Sequence, residues 1–232
     1  MIIDAGTEKF LLGDSLSNGA VFSVERSPLI SRNDLLVGLV RGKSVLHLGC
    51  ADHTSLIRKK RRQGTYLHDL LSGSASSLAG ADVNGEALAE MRGLGIDNLY
   101  HVSDLPVDAH YDLLVVPDVI EHVGDVAEFL RGLRRFSCKE VVITTPNAFR
   151  LRNRRLFSSE LVNTDHRYWF SPYTLSKSIY ENGFQIKEFY YTDSPVAWKA
   201  PVKSYLRYRY PLCRDGLAVV VTERSSSSPC KD

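Results

Sequence analysis

Two short, uninterrupted apolar runs constrain the fold of this chain more than any other feature of its sequence. They are residues 113–116 (LLVV) and 141–144 (VVIT). A strand that is covered on both faces by helices reads as a continuous apolar run, which is typical of parallel sheets. Strand-like and helical segments alternate around these runs, so the sequence predicts a doubly wound α/β sheet with helices on both faces.

Turn and capping residues divide the chain into predicted elements. The predicted strands cover residues 45–48, 77–83, 98–102, 111–116, 141–145, 184–191 and 217–222. The predicted helices cover residues 31–41, 55–71 with an interruption near Gly64, 85–92, 125–136 and 171–182. Ser171 followed by Pro172 is typical of a helix start, because serine caps the first N–H groups and proline fits the first turn.

The length of 232 residues suits one full-sized domain, which we expect to cover residues 1–224 with its core at 28–222. Residues 146–168 and 195–214 interrupt the alternation and are predicted to be insertions on the substrate side. The serine-rich tail at 225–232 is predicted to be disordered.

Composition narrows the class of protein. The formal net charge of +2 argues against a dedicated nucleic-acid binder. Four widely spaced cysteines without a CxxC pair favour reduced thiols, and therefore a cytoplasmic location. We expect no membrane partner, since no apolar run approaches the ~20 residues of a membrane span and no signal peptide is recognisable.

Polar residues follow each predicted strand, at the edge of the sheet where ligands of such folds bind. The first strand runs into Gly49, whose missing Cβ allows a sharp turn and a close approach of ligand to backbone N–H groups. Asp82 follows the second strand and could accept hydrogen bonds from two ribose hydroxyls. Asp104 follows the third strand and could accept one from an adenine amine.

In this arrangement the chain resembles the class I S-adenosylmethionine-dependent methyltransferases. The motifs that carry the resemblance are VLHLGCADH at 45–53, GADVN at 80–84, SDL at 103–105, YDLLVVPDVIEHV at 111–123, ITTPNAF at 143–149, DHRYWFSPYTL at 165–175 and ENGFQIKEF at 181–189. The resemblance implies a Rossmann-like, seven-stranded, mostly parallel sheet whose last strand is antiparallel.

The resemblance also implies the cofactor and the residues that bind it. S-adenosylmethionine would contact the loop after the first strand with its methionine part, the acid after the second strand with its ribose, and the acid after the third strand near its adenine. The implied cofactor-binding residues are His47, Gly49, Cys50, Ala51, His53, Asp82, Val83, Asn84, Ser103, Asp104, Leu105, Pro117 and Asp118. The PNAF and DHxxWFSP-like segments suggest methylation of a glycan or metabolite, by analogy alone.

Two departures from the family pattern bear on the cofactor. His47 stands where the family usually has an acid, and Ala51 and His53 stand where it has glycines. His53 must either point away from the loop or contact the cofactor itself. These departures motivate a second hypothesis, a degenerate cofactor-binding module that partners another protein.

Two other nucleotide-binding patterns fit poorly. A dinucleotide fingerprint G-x-G-x-x-G needs small residues where the chain has Ala51 and Thr54, and an acid about 20 residues later. Asp82 comes 33 positions after Gly49. A Walker-type phosphate loop is excluded because no GK[ST] occurs.

The candidate catalytic residues are Glu121, His122 and His166. Histidine suits proton removal near neutral pH, and Glu121 could orient it. The spacing of Asp118, Glu121 and His122 also resembles the metal-ligand pattern of some O-methyltransferases that act on quinone precursors, so a divalent cation is a possible cofactor. Alternatively, Glu121 and His122 only cap the following helix and pack beneath the cofactor.

Basic residues recur at three places. The run at 59–62 reads as a solvated helix face. Two further groups, among aromatic residues, could form a wall suited to an anionic or sugar-containing acceptor; they are Arg150, Arg152, Arg154, Arg155, Lys199, Lys203, Arg207 and Arg209. An RNA substrate is a third hypothesis, but the near-neutral net charge favours a small or carrier-linked acceptor.

Overall fold

A computed structural model describes residues 3–106, 109–150, 153, 162–193 and 201–224. Its described strands form one seven-stranded sheet in the order β3-β2-β1-β4-β5-β7-β6. The strands are β1 Ser44–Leu48, β2 Ser77–Asp82, β3 Leu99–His101, β4 His110–Pro117, β5 Ser137–Pro146, β6 Phe184–Thr192 and β7 Gly216–Glu223. β7 pairs antiparallel with both β5 and β6, and the pairs among β1 to β5 are parallel. The predicted sheet is confirmed, including its antiparallel last strand.

Helices cover the sheet, and they include two that the sequence patterns did not predict. The helices are α1 Ala5–Leu12, α2 Arg32–Val40, α3 Thr54–Arg62, α4 Leu67–Ser72, α5 Gly85–Gly93, α6 Val126–Leu133, α7 Pro172–Glu181 and α8 Pro201–Arg209. The helical region predicted at 55–71 is two helices, α3 and α4, which separate at the predicted interruption because Gly64 has φ 64°. α1 and α8 were missed.

The two missed helices lack a continuous apolar stripe. In α1 only Thr7 and Leu11 are buried, and the helix depends on its caps, with Asp4 accepting a hydrogen bond from Thr7 N and Gly13 ending it at φ 79°. α8 leaves Val202, Tyr205 and other large side chains exposed. A search for periodic apolar residues therefore finds neither helix.

The central strand β4 shows why the sheet is buried on both faces. Leu114 and Val116 pack in one apolar cluster with side chains of α6 and α7. Leu113 and Val115 pack in another with side chains of α2 and α4. Because successive side chains of a strand point to opposite faces, an LLVV run needs helices on both sides.

In the described part of the chain no helix is long and apolar enough to cross a membrane. The predicted disordered tail lies outside the described residues, as do Arg152, Arg154, Arg155 and Lys199 of the predicted basic wall.

Candidate active site

The strand order reverses between β1 and β4, since β2 and β3 lie to one side of β1 and the later strands to the other. Ligands of open α/β sheets bind beyond the carboxyl ends of the strands at this switch point. The turn that follows β4, residues 118–122, lies there between two cavities. Val119 and His122 line one cavity of about 570 Å³, which we name the β1 cavity. Asp118 lines another of about 300 Å³, which we name the Arg32 cavity.

The loop after β1 turns at Gly49. This residue has φ 75°, in the left-handed region, and its N–H donates to Ala81 O at 2.8 Å. A Cβ built at Gly49 would overlap the side chain of Val119. Glycine is therefore required here both by the backbone conformation and by the close approach of the two loops.

Asp82 holds this loop against the end of β2. The residue is 8% exposed, its Oδ2 accepts from Ala51 N at 2.9 Å, and its Oδ1 accepts from Asn84 N at 2.9 Å. Asn84 in turn caps α5 by accepting from Ala87 N. Since each carboxylate oxygen has two acceptor sites, Asp82 can accept further hydrogen bonds from a ligand in the β1 cavity.

The predicted cofactor-binding residues lie at several places in the structure. Those that line the β1 cavity are Gly49, Asp82 and Val83. Near the end of β3 the cavity is lined by Val102. Ser103 and Asp104 follow it as exposed residues, with the Ser103 hydroxyl donating to Asp104 Oδ1 at 2.7 Å.

His47 and Cys50 lie inside the protein rather than on the cavity surface. Burial lowers the pKa of His47 well below its usual range, and the neighbouring His68 lowers it further. The two rings stack with their Nδ1 atoms 3.1 Å apart. Burial raises the pKa of Cys50 to about 12. The histidine that replaces the family's acid is thus a neutral core residue beneath the loop.

His53 points towards the segment that precedes α7. It occupies the N-cap position of α3 without a side-chain capping bond, and its Nε2 lies 3.7 Å from Asp165 Oδ2. The side chain of His53 is 75% exposed. Its imidazole is therefore exposed to solvent and does not line the β1 cavity.

Asp118 is held in an uncommon conformation directly after β4. It has φ 51°, which few residues other than glycine adopt. An ion pair with Arg32 and a hydrogen bond from Thr144 Oγ1 at 2.7 Å fix its carboxylate. Pro117 is the last residue of β4. Asp118 was predicted to bind cofactor, but its side chain faces the Arg32 cavity.

Glu121, His122 and His166 come together although His166 lies 44 positions from His122 in the sequence. Their potential ligand atoms all lie within 4.8 Å of one another. The rings of His122 and His166 meet edge to face with centroids 4.7 Å apart. The three predicted catalytic residues therefore form one cluster.

Glu121 is the buried member of this cluster, with 1% exposure. Its Oε2 accepts from Thr145 Oγ1 at 3.0 Å, and within the described residues its buried Oε1 has no hydrogen-bond partner. Burial, together with the nearby Asp118 carboxylate, raises the pKa of Glu121 to about 8. The side chain is therefore largely protonated at neutral pH.

A hydrogen bond orients the imidazole of His122. Its Nδ1 lies 2.9 Å from Asp165 O, and because a carbonyl can only accept, Nδ1 carries a proton, which leaves Nε2 with the lone pair in the neutral ring. Burial lowers the pKa of His166, whose buried Nδ1 has no partner among the described residues. The backbone N–H groups of Arg167 and Tyr168 donate to Glu121 O, which ties the His166 segment to the turn.

Sequence reasoning missed the residues that hold these side chains. Arg32 and Thr144 hold Asp118, and Thr145 holds Glu121. Only the two threonines could be found from the sequence, because they are polar residues at the carboxyl end of an otherwise apolar strand. The basic run on α3 behaves as a paired helix face, with Lys60 bonded to Asp52 and Arg61 to Asp69.

Several solved structures share this architecture. A methyltransferase dependent on S-adenosylmethionine from Mesorhizobium loti matches 82% of this chain and 96% of its own, at 18% identity and a TM-score of 0.51. Magnesium protoporphyrin IX methyltransferase from Synechocystis PCC 6803, solved with bound SAH, matches 83% of this chain and 82% of its own, at 15% identity and a TM-score of 0.50.

The chain has the fold of the S-adenosylmethionine-dependent methyltransferases. The predicted fold family is thereby confirmed at the level of structure. Neither a family model nor a curated protein sequence matches the chain. The cyclase SpnF matches 84% of this chain and 81% of its own, at 14% identity and a TM-score of 0.53, so the same fold also carries a different reaction.

Proposed function

We propose that the protein is an enzyme that transfers a methyl group from S-adenosylmethionine to a hydroxyl of a small or carrier-linked acceptor, sugar-containing acceptors included. The observation that carries this proposal is the turn at 118–122. It lies between a cavity bounded by Gly49, Asp82 and His122 and a second cavity lined by Asp118. Cofactor and acceptor can therefore bind on the two sides of this turn, at the switch point of the sheet.

The β1 cavity suits the cofactor. Asp82 already accepts hydrogen bonds from two backbone N–H groups, and its oxygens have acceptor sites left for the ribose hydroxyls. Val83 and Val102 supply apolar surface for the adenine. We propose Asp104 as a contact to the adenine amine and His53 as a contact at the rim.

Methyl transfer is an in-line displacement at the sulfonium methyl. The hydroxyl oxygen forms a bond to the methyl carbon, the carbon–sulfur bond breaks with its electron pair on sulfur, and the hydroxyl proton must leave. Most of the rate comes from holding oxygen, carbon and sulfur in line. We assign proton removal to His122 Nε2, with His166 beside it and Glu121 as a positioning residue.

The cluster also fits a divalent cation by its chemistry. Two imidazoles and one carboxyl with an unpartnered oxygen form a plausible donor set for a transition metal or zinc. The predicted ligand Asp118 is instead engaged by Arg32, so Glu121, His122 and His166 would hold the ion. A bound cation would lower the pKa of the acceptor hydroxyl.

Binding of S-adenosylmethionine and S-adenosylhomocysteine by calorimetry, with NAD as the control, is the first test. Micromolar binding of the first two and none of NAD is the expected result. Binding of NAD alone would contradict the proposal. We further propose a cytoplasmic location, because Cys50, Cys138 and Cys213 are free thiols.

The degenerate module is the second candidate, favoured by the replacement of the family's acid by the buried His47. It predicts cofactor binding without turnover across a broad panel of acceptors. An RNA substrate is the third candidate and predicts RNA binding that weakens steeply with salt. The ion pairs of Lys60 and Arg61 make the α3 surface a poor candidate for such binding.

A further inference from the structure

The Arg32 cavity lies at the carboxyl ends of β4 and β5, where it is next to the catalytic cluster. Thr144 and Thr145 both line it, and Thr145 also bonds to Glu121. The opposite wall comes from the end of β6 and the start of β7, with Asp193 and Asp215. A group in this cavity would therefore lie on the far side of the 118–122 turn from the cofactor.

Three carboxylates line this cavity, and each has an arginine partner. Asp118 pairs with Arg32. Asp215 pairs with Arg207, and Arg207 Nε also lies 3.6 Å from Asp193.

Asp193 and its partner Arg214 show that this wall is built rather than incidental. Asp193 is 3% exposed, and its Oδ2 lies 2.7 Å from Nη2 of the fully buried Arg214. Neither oxygen of Asp193 receives a well-aligned hydrogen bond from the described residues. Arg214 also donates to Ser27 O and Oγ, which fixes the N-terminal segment to this wall. Removing such charges from water costs several kcal/mol per ion, and the pairing of Asp193 with Arg214 offsets this cost. The wall that a ligand of this cavity would meet is therefore held in place by buried ion pairs.

The paired charges decide the chemistry of that ligand. An anion entering the cavity would approach the Asp118, Asp193 and Asp215 carboxylates and would have to compete with them for Arg32 and Arg207. The other arginine that lines the cavity, Arg150, donates from Nε to Asn153 Oδ1 and lies over the Trp169 ring. An ammonium group would meet the arginines in the same way. Hydroxyl groups avoid both conflicts, because each can donate to a carboxylate oxygen and accept from an arginine N–H.

We propose that the Arg32 cavity binds a neutral, polyhydroxylated part of the methyl acceptor, of the size and chemistry of a single sugar ring. This inference rests on the proposed methyl transfer and assigns its acceptor class. It also revises part of the sequence expectation of a basic wall: Arg150 lines this cavity, whereas Arg207 lies buried between two aspartates and is not available to an anionic group.

Ligand-observed saturation-transfer NMR on the protein loaded with S-adenosylhomocysteine tests the inference. The probes are a panel of neutral methyl glycosides and myo-inositol, with matched sugar phosphates and uronates. We expect saturation transfer to one or more neutral members and at least a tenfold weaker interaction for the anionic counterparts. No transfer to any neutral member, or a stronger interaction with the anionic ones, would overturn the inference.

Two variants locate the binding. Asp215→Asn removes a charge from the wall, and Asn33→Ala removes the amide oxygen that accepts from Arg32 Nε and Nη2. We expect each to weaken glycoside binding at least fivefold and to leave the affinity for S-adenosylhomocysteine within twofold. Asp97→Asn, at an exposed acid between α5 and β3, is the matched control.

The second variant keeps the test decisive if Asp215→Asn fails to fold, because Asn33 is a half-buried residue of α2 and not part of the buried ion pairs. Glycoside binding that survives Asn33→Ala unchanged would place the ligand elsewhere and overturn the assignment. If the wild-type protein did not bind S-adenosylhomocysteine, the proposed methyl transfer itself would be contradicted. A failure of the acceptor assignment can therefore be distinguished from a failure of the proposed function.

Discussion

The imidazole rings of His47 and His68 lie nearly parallel, at 16°, with their Nδ1 atoms 3.1 Å apart in the interior of the protein. A hydrogen bond between these atoms requires one protonated and one unprotonated Nδ1, so at least one ring is neutral, and burial favours the neutral form of both. His47 belongs to β1, directly before the turn at Gly49, and His68 belongs to α4. The pair therefore links a surface helix to the strand that leads into the turn at Gly49.

This pair predicts a loss of stability in mild acid. Burial lowers the pKa of His68 from 6.5 to about 4 and that of His47 well below its usual range. Between these values the unfolded chain binds protons and the folded chain does not. The contribution is therefore fully present above pH 6.5 and is lost as the pH falls towards 4. For His68 the loss at pH 4 is about 3 kcal/mol.

Urea unfolding at pH 7.5, 6 and 5 measures this effect. We expect the free energy of unfolding to depend less on pH in His68→Gln than in the wild-type protein. His110→Gln, at an exposed histidine, should retain the wild-type dependence. Equal pH dependence in His68→Gln and the wild type would show that the pair does not titrate on unfolding.

Replacement of Gly49 by alanine should weaken binding of the cofactor at the loop after β1. The substitution forces a Cβ into Val119 at a left-handed residue, so the loop must move. Calorimetry should show at least a tenfold weaker affinity for S-adenosylhomocysteine. Gly64→Ala is the matched control, because Gly64 has φ 64° but open space at its Cβ; it should cost roughly 1–2 kcal/mol of stability and leave binding unchanged. Wild-type affinity in Gly49→Ala would remove this turn from the cofactor site.

Asp82→Asn should weaken S-adenosylhomocysteine binding about 100-fold, a loss of about 2.7 kcal/mol. The substitution removes the charge that Ala51 N–H and Asn84 N–H now contact, and hydrogen bonds to charged groups are worth ~1.5–3 kcal/mol each. Asp97→Asn should bind like the wild type. If the two variants bound equally well, the ribose assignment would be wrong.

His122→Gln should lower kcat by about 10²-fold or more while the affinity for S-adenosylhomocysteine stays within threefold. The reason is that the hydrogen bond between His122 Nδ1 and Asp165 O orients Nε2, the atom that we propose removes the proton. Steady-state kinetics with an acceptor found by screening measure the effect, with His110→Gln as control. A normal kcat in His122→Gln would remove this residue from the mechanism.

Treatment with a chelator distinguishes between two roles of the cluster of Glu121, His122 and His166, a general base and a divalent-cation site. If His122 acts as a base without a cation, turnover survives treatment with EDTA, and this is the result we expect. A different result would assign the cluster to a divalent cation: EDTA abolishes turnover, and Mg²⁺, Mn²⁺ or Zn²⁺ restores turnover in the wild-type protein but not in Glu121→Gln.

The sequence by itself determined the sheet and predicted a candidate site at its carboxyl edge. The apolar runs at 113–116 and 141–144 required cover on both faces, and polar residues after each strand marked the carboxyl edge. Burial on both faces and the 2-residue period of a strand are local properties, so they can be read along the chain. Gly49 and Asp82 could be found in this way.

Only the tertiary structure decided which side chains meet. Asp118 and Glu121 are three residues apart in sequence, yet Arg32 and Thr144 hold the first on the side of the Arg32 cavity, while Thr145 holds the second beside His166. His47 replaces an expected acid, and only packing against His68 shows it to be a neutral core residue. Such pairings depend on contacts between residues far apart in the chain and on loss of water around them, and neither leaves a periodic signal in the sequence.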